Sequence, residues 1–466
     1  MAKRILIVGG GYVGLYTALR LERKLRRQLR RGEVELTLVD PESYMTYQPF
    51  LPEAAAGNLE PRHVTIPLRR ALHHTRLIIG RITSIDHAQH TARVEIVEGE
   101  NWPVRYDLLV MAVGSVSRTL PVPGLAENGI GFKTIEEAIH LRNRVLGLLD
   151  RAASTRDPDE CRRSLTYVVV GGGFAGVEAL AELADMTDDA LRYLPELAAE
   201  PRWVLVEATG RILPEVGEEM GRYTVDELRR QGIEVLLNTR LESAENCRIV
   251  LSDGQEFDAA TLVWTAGVKP HPMLRETDLP LDDKGRLKAE PTLTVEGHRD
   301  AFTAGDNAAV PDLTNPGQFC APNAQHAVRQ AKVLADNIVA TVTGQPLKPY
   351  RHAYAGSVAS LGLHRGVAQV YGVKLRGLPA WFMHRTYHLM RVPTFNRKVR
   401  VMADWTLALF FHREMVALGR LQNPYEEFRL AAGRDQGTLT AAESAQAAGE
   451  PAGQSRTEET RARASS

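Results

Sequence analysis

Two glycine runs carry the first recognisable chemistry of this chain. "IVGGGYVG" places Gly9, Gly11 and Gly14 behind one apolar run, and "VVGGGFAG" places Gly171, Gly173 and Gly176 behind another. In a GxGxxG pattern the first glycine permits a tight turn. The second lets backbone approach a pyrophosphate, and the third lets a helix pack closely on its strand. The pyrophosphate then lies at a helix N-terminus, where free N–H groups and the helix dipole favour negative charge. An acidic residue closes the next strand of each unit, Asp40 and Glu207. Such a carboxylate accepts hydrogen bonds from ribose hydroxyls. Glycine also serves ordinary strand–helix corners. The recurrence of strand, turn, helix and acid selects dinucleotide binding instead.

Two adenine-dinucleotide sites in one chain imply electrons passing between two cofactors. One is a firmly held flavin, FAD, and the other an exchanging nicotinamide. Glu207 would repel a 2′-phosphate, which favours NADH. Arg211, four residues on, keeps NADPH open.

The elements that must position these turns follow from the hydrophobic pattern. Residues 5–8 predict a buried parallel strand, 13–30 a helix ending in "RKLRRQLRR", and 34–39 the next strand. The second unit repeats this with a strand at 167–170, a helix at 174–186 and a strand at 203–206. Further strands are expected at 77–85 and 91–97, a helix at 134–150, and a hairpin-rich insertion at "EVLLN" and "RIVLSDG". Three segments run from strand into glycine turn: "YDLLVMAVGS", "DAATLVWTAGVKP" and "DAFTAGDNAAV". Beyond about residue 346 aromatic and basic residues mix. Helices at 379–391 and 397–412 carry an apolar stripe, tryptophan and a basic flank, the pattern of a helix lying in a membrane interface. Past about 430 the chain is Ala, Gly, Ser, Glu and Arg, which predicts disorder.

Composition narrows the class. The 466 residues suffice for two or three domains. Zero formal net charge gives no overall field toward nucleic acid, and no nucleic-acid partner is expected. Cys161, Cys247 and Cys320 form no CxxC or CxxxxC pair. That argues against a dithiol relay, a zinc site or a disulfide framework, and no metal is expected. Neither a secretory leader nor an apolar run of ~18 residues is expected.

With "MAVG" at 111–114, "WTAG" at 264–267 and "TAGDNAAV" at 303–310, the chain resembles the flavoproteins built on two dinucleotide-binding domains. The resemblance implies an α/β fold of two Rossmann-like domains, the NADH domain inserted in the FAD domain. Residues 1–133 and 269–355 would form the FAD domain and 134–268 the NADH domain. Residues 356–428 would form a helical membrane-association and dimerisation region, and 429–466 a disordered tail. Gly114, Gly305 and Asp306 would hold the flavin side, the last two its ribityl and phosphate region.

No cysteine stands in "YMTYQPFLPEAAAG", where the disulfide reductases of this superfamily keep their pair. With Gln48, Pro49 and Phe50, that stretch resembles the type II NADH:quinone oxidoreductases, as do "GSVASLG" and "PAWFMHRTYHL". "APNAQHAVRQA" is similar to their quinone-site motif AQxAxQ. Ala324, Gln325 and Ala327 match, and Arg329 replaces the second glutamine beside Gln330. Gln325, Val328 and Arg329 share one helix face. The resemblance implies hydride transfer from NADH to FAD, then two electrons to menaquinone or ubiquinone without proton pumping. It also implies a homodimer on the cytoplasmic face of the membrane. Gln325 would hydrogen-bond a quinone carbonyl and Arg329 would attract a reduced, anionic quinone. Glu178 would lie near nicotinamide and flavin, hydrogen-bonded to Gln325. The bland alternatives are an amphipathic helix with polar residues outside and a carboxylate in a helix first turn. Two rival functions stand beside this one. A sulfide:quinone oxidoreductase would use Cys161 and Cys320, and a non-catalytic sensor would bind FAD and NADH without turnover.

Overall fold

The protein is described from a computed structural model that covers residues 2–431 apart from 97, 98, 198, 353–355, 412 and 419–424. Residues 1–417 form one compact unit, and 418–466 form a second. Within the second, Glu426–Ala431 is helical. The rest of the tail expected to be disordered, 432–466, lies outside the described residues.

Two five-stranded parallel sheets organise the large unit. The first runs Ala301–Thr303, Leu108–Met111, Lys3–Val8, Val34–Asp40, Thr75–Ile79. The second runs Gly129–Gly131, Thr261–Trp264, Thr166–Val170, Arg202–Glu207, Glu234–Leu237. The central strands are buried on both faces, which is why Ile5, Leu6, Ile7 and Val8 form an unbroken apolar run, as do Tyr167, Val168, Val169 and Val170. The second sheet thus takes in residues 129–131, ahead of the boundary expected at 134. An antiparallel pair, Ser115–Ser117 with Val268–Pro270, ties the glycine turns of the two sheets together.

Antiparallel layers flank each sheet. Arg81–Asp86, Thr91–Ile96 and Glu100–Arg105 form one, and Leu241–Ser243, Arg248–Leu251 and Glu256–Asp258 another. A third, Gly356–Ser360, Gly366–Val370 and Val373–Arg376, leads into the helices Leu378–Arg391 and Phe395–Leu407.

Four local expectations are corrected. The helix expected at 13–30 breaks at Leu25 (φ −100°, ψ 17°), whose side chain is wholly buried while Arg26 and Arg27 turn to solvent. The strand expected at 77–85 divides at Gly80, where a Cβ would lie 2.7 Å from the Glu95 carbonyl and the chain changes sheets. "EVLL" is the edge strand of the second parallel sheet and not part of a hairpin. The helix expected at 397–412 spans Phe395–Leu407, short of 412, because residues 408–411 form a turn with hydrogen bonds from Phe410 N and Phe411 N to the Leu407 carbonyl.

The C-terminal helices are clamped to the first sheet's unit. Arg385 donates to Glu53 Oε2 at 2.8 Å, and the Trp405 indole N–H donates to the same oxygen at 2.7 Å. The guanidinium sits 4.1 Å from the Trp381 ring centre and 4.8 Å from that of Trp405. A buried charge persists only with such pairing.

Candidate functional site

The two glycine turns have one geometry. Gly9 has φ +101° and Gly171 φ +117°, a region that favours glycine. A Cβ on Gly14 would strike the Gly9 carbonyl, and one on Gly176 the Gly171 carbonyl. These third glycines therefore serve helix–strand packing. At Gly11 and Gly173 no heavy atom stands within 4 Å of where a Cβ would be. The Tyr12–Lys24 and Phe174–Leu191 helices start there with no side-chain cap, so their first N–H groups face open space. Both turns fit a pyrophosphate.

Each acid reaches back to its turn through the glycine that the motif leaves unmarked. Gly10 N donates to Asp40 Oδ2, and Gly172 N donates to Glu207 Oε2 at 2.7 Å. Glu207 Oε1 also accepts from Thr209 N and Oγ1, at 2.7 and 2.8 Å. Burial raises the Asp40 pKa, and backbone N–H groups oppose that rise. Gly10 and Gly172 were missed in the sequence, although their place inside GGG was the available signal.

On the flavin side, Gly114 N donates to Asn307 Oδ1 at 3.1 Å, and Gly305 N (φ +78°) donates to Gln330 Oε1 at 2.7 Å. Ser115 Oγ donates to Asp306 Oδ2 at 2.6 Å. Lys133 Nζ donates to the Ser115 carbonyl and hydroxyl, and burial lowers its pKa. Gln330 is therefore spent on the Gly-Asp turn.

A cavity of about 580 Å³ joins the two halves. Its walls include Gln48 and Asp306 beside the first sheet, Phe174 and Glu178 beside the second sheet, and Gln325, Val328 and Arg329. The shared face read from the sequence for Gln325, Val328 and Arg329 is thus the cavity face. Gln48 is held by a 3.2 Å bond from its Nε2 to the Lys133 carbonyl. Gln325 Nε2 donates to the Gly356 carbonyl at 2.7 Å, and its Oε1 accepts from Arg329 Nη1 at 3.2 Å.

Glu178 is buried, and its partners differ from the expected Gln325. Its Oε1 accepts from Ser360 N at 2.9 Å and lies 3.2 Å from His384 Nε2. Burial disfavours a charged His384, but the close carboxylate of Glu178, with Glu53 and Glu182 beyond, outweighs it and raises the pKa. Behind this pair, Glu182 accepts from Asn58 and from Ser360 Oγ, both at 2.9 Å, and burial with the nearby Glu53 raises its pKa. His388 lines the cavity wall and stays neutral, because burial and then His384 push its pKa well down. His384, Lys133 and His388 were not singled out in the sequence. A histidine pair at i and i+4 in "HRTYH" was the signal for two of them.

Cys161 and Cys320 are both buried, and burial pushes the Cys320 thiol up to about 11.

Comparison with known proteins adds an independent line. Residues 3–331 match the family model described as pyridine nucleotide-disulphide oxidoreductase. The type II NADH:quinone oxidoreductase Ndh of Mycobacterium tuberculosis is 28% identical over 88% of this chain and 89% of its own length. The demethylphylloquinone reductase NdbB of Synechocystis is 30% identical over 86% of this chain and 95% of its own. The solved structure of NDH2 from Plasmodium falciparum in complex with NADH superposes with TM-score 0.82 at 18% identity, covering 89% of this chain and all of that one. At that identity the likeness concerns the fold.

Proposed function

Because the chain belongs to the pyridine nucleotide-disulphide oxidoreductase family, we propose that it oxidises NADH through bound FAD and delivers two electrons to a membrane quinone without pumping protons. The observation that carries this reading is one cavity lined by Phe174 and Glu178 beside the second sheet together with Asp306 and Gln325. FAD supplies the redox chemistry when bound, taking the hydride and releasing electrons to the acceptor.

The chain's own residues hold, orient and protonate. Gly9, Gly11, Gly14 and Asp40 would hold the FAD adenosine diphosphate, and Gly114, Gly305, Asp306 and Gln48 would border the flavin. Gly171, Gly173, Gly176 and Glu207 receive NADH. The net reaction, NADH + H⁺ + quinone giving NAD⁺ + quinol, draws one proton from solvent. Glu178 facing His384 is the pair placed to hold it. A primary amide has two N–H donors. Gln325 spends one on Gly356, which leaves the other for a quinone carbonyl. The Arg329 guanidinium favours negative charge arising on the acceptor.

We assign residues 1–128 and 269–355 to the FAD domain and 129–268 to the NADH domain, the first boundary moved ahead of 134 because Gly129–Gly131 is a strand of the second sheet. Residues 356–428 mediate membrane association and homodimer contact at the cytoplasmic face. Exposed Phe382, Met390, Phe395, Phe410 and Phe411 support this, with Arg397 and Lys398 in the same region. Among the described residues no helix is long and apolar enough to cross a membrane.

The test is turnover of membrane-reconstituted enzyme with a panel of acceptors, for the parent, Gln325→Ala and Arg329→Gln. Quinone reduction should fall at least tenfold in Gln325→Ala while anaerobic flavin bleaching by NADH persists. Bleaching by sulfide instead of NADH, or no bleaching at all, would overturn the reading.

A further inference from the structure

At the end of the first sheet remote from Asp306, three histidines converge on one carboxylate. His87 and His90 bracket the turn between Arg81–Asp86 and Thr91–Ile96, while His298 and Asp300 precede the strand Ala301–Thr303. His87 Nε2 lies 3.2 Å from Asp300 Oδ1, and His90 Nε2 lies 3.5 Å from Asp300 Oδ2. The His87 and His298 rings meet edge-on with centres 4.9 Å apart. One ligand atom from each of His87, His298 and Asp300 falls within 4.8 Å of the others.

We propose that His87, His298 and Asp300, with His90 at the rim, bind a divalent transition-metal cation of the zinc class. Two ligands at 2.0–2.1 Å from a tetrahedral ion stand about 3.3 Å apart. The His87–Asp300 pair already has that spacing, and side-chain rotation of the half-buried His298 closes the rest. An outer contact orients the buried ligand, since His87 Nδ1 lies 3.2 Å from the Tyr106 hydroxyl. His90 Nδ1 is buried and without a hydrogen-bond partner in the fold. Arg4, which lines the adjoining pocket together with Lys3 and Arg105, is paired with Asp107 at 2.8 Å. A set of imidazoles with one carboxylate suits zinc, nickel or copper, whereas calcium and magnesium seek oxygen ligands. A cation here would pin the antiparallel layer to the strand that leads into Gly305 and Asp306. It is a structural cation, outside the reaction cavity.

The probe is zinc chloride titrated calorimetrically into chelator-treated, FAD-loaded, full-length protein without an affinity tag, with magnesium chloride as control. One zinc equivalent should bind and magnesium should give no heat. His298→Ala and Asp300→Asn should each weaken zinc binding at least tenfold. Cobalt substitution should give tetrahedral d–d absorption that both variants lose. Circular dichroism matching the parent certifies each variant, and His298→Ala, at a half-buried position, stands in should Asp300→Asn misfold. Absence of zinc uptake, or uptake of equal affinity in parent and folded variant, would overturn the proposal.

Discussion

Gly173→Ala separates the nucleotide role of a glycine from its structural role. Gly173 has φ −78° and ψ −179°, an extended conformation that alanine adopts, and a Cβ there meets no heavy atom within 4 Å. The folded chain therefore loses nothing. The unfolded chain loses freedom, which favours the variant by about 0.4–1 kcal/mol. The new methyl projects about 1.5 Å from Cα into the space the pyrophosphate needs. Displaced that far, an anion gives up one hydrogen bond from a helix N-terminal N–H, worth about 1.5–3 kcal/mol when one partner is charged. At 1.4 kcal/mol per decade this is about a 10- to 100-fold rise in the dissociation constant for NADH. Anaerobic stopped-flow measures it as the NADH dependence of flavin bleaching, with Tm as control. Gly11→Ala is the mirror test: it should lower retained FAD, while Gly173→Ala retains its flavin fully. An NADH dependence within twofold of the parent for Gly173→Ala, or flavin loss from it, would refute the assignment of the two cradles.

Asp336 gives a pH prediction. Its hydrogen bond to Arg20, with Lys24 assisting, holds its pKa at about 2, below the usual 3.8. A depressed folded pKa contributes stability that is present above pH ~4 and lost as pH falls toward about 2. Asp336→Asn should flatten this acid limb in thermal melts, and an unchanged limb would contradict the pairing. Phe410 and Phe411 are exposed. Burying each in lipid is worth about 1.5–3 kcal/mol, so the Phe410→Ser/Phe411→Ser double variant should lose at least 100-fold in affinity for anionic vesicles by co-sedimentation. NADH oxidation with a soluble dye should persist, and undiminished vesicle binding would exclude these residues from the membrane face.

The two cradles were legible because their information is local: strand, three glycines, helix and acid lie within about forty residues. The face of Gln325, Val328 and Arg329 was legible for the same reason, since helical spacing fixes it. The destination of Gln330 was not, because its partner Gly305 lies twenty-five residues back and depends on the packed helix. Glu178 was singled out, but its partners Ser360 and His384 come from the distant C-terminal segment. The Glu53–Arg385 clamp spans 332 residues, and no spacing rule reaches that far. Likewise, cysteine spacing offered no metal motif, and the His87, His298 and Asp300 cluster exists only once the first sheet has formed.

The helix Leu378–Arg391 works from two sides at once. Met383, Tyr387, His388 and Arg391 line the cavity, while Phe382 and Met390 point outward. An α-helix is only about 10–12 Å across. Wherever lipid meets the outer side, a headgroup in the cavity is one helix diameter from the hydrocarbon that holds its tail. The Glu53 anchor keeps that partition from drifting, so on the proposed membrane reading the depth of immersion and the reach demanded of a quinone would be one and the same dimension.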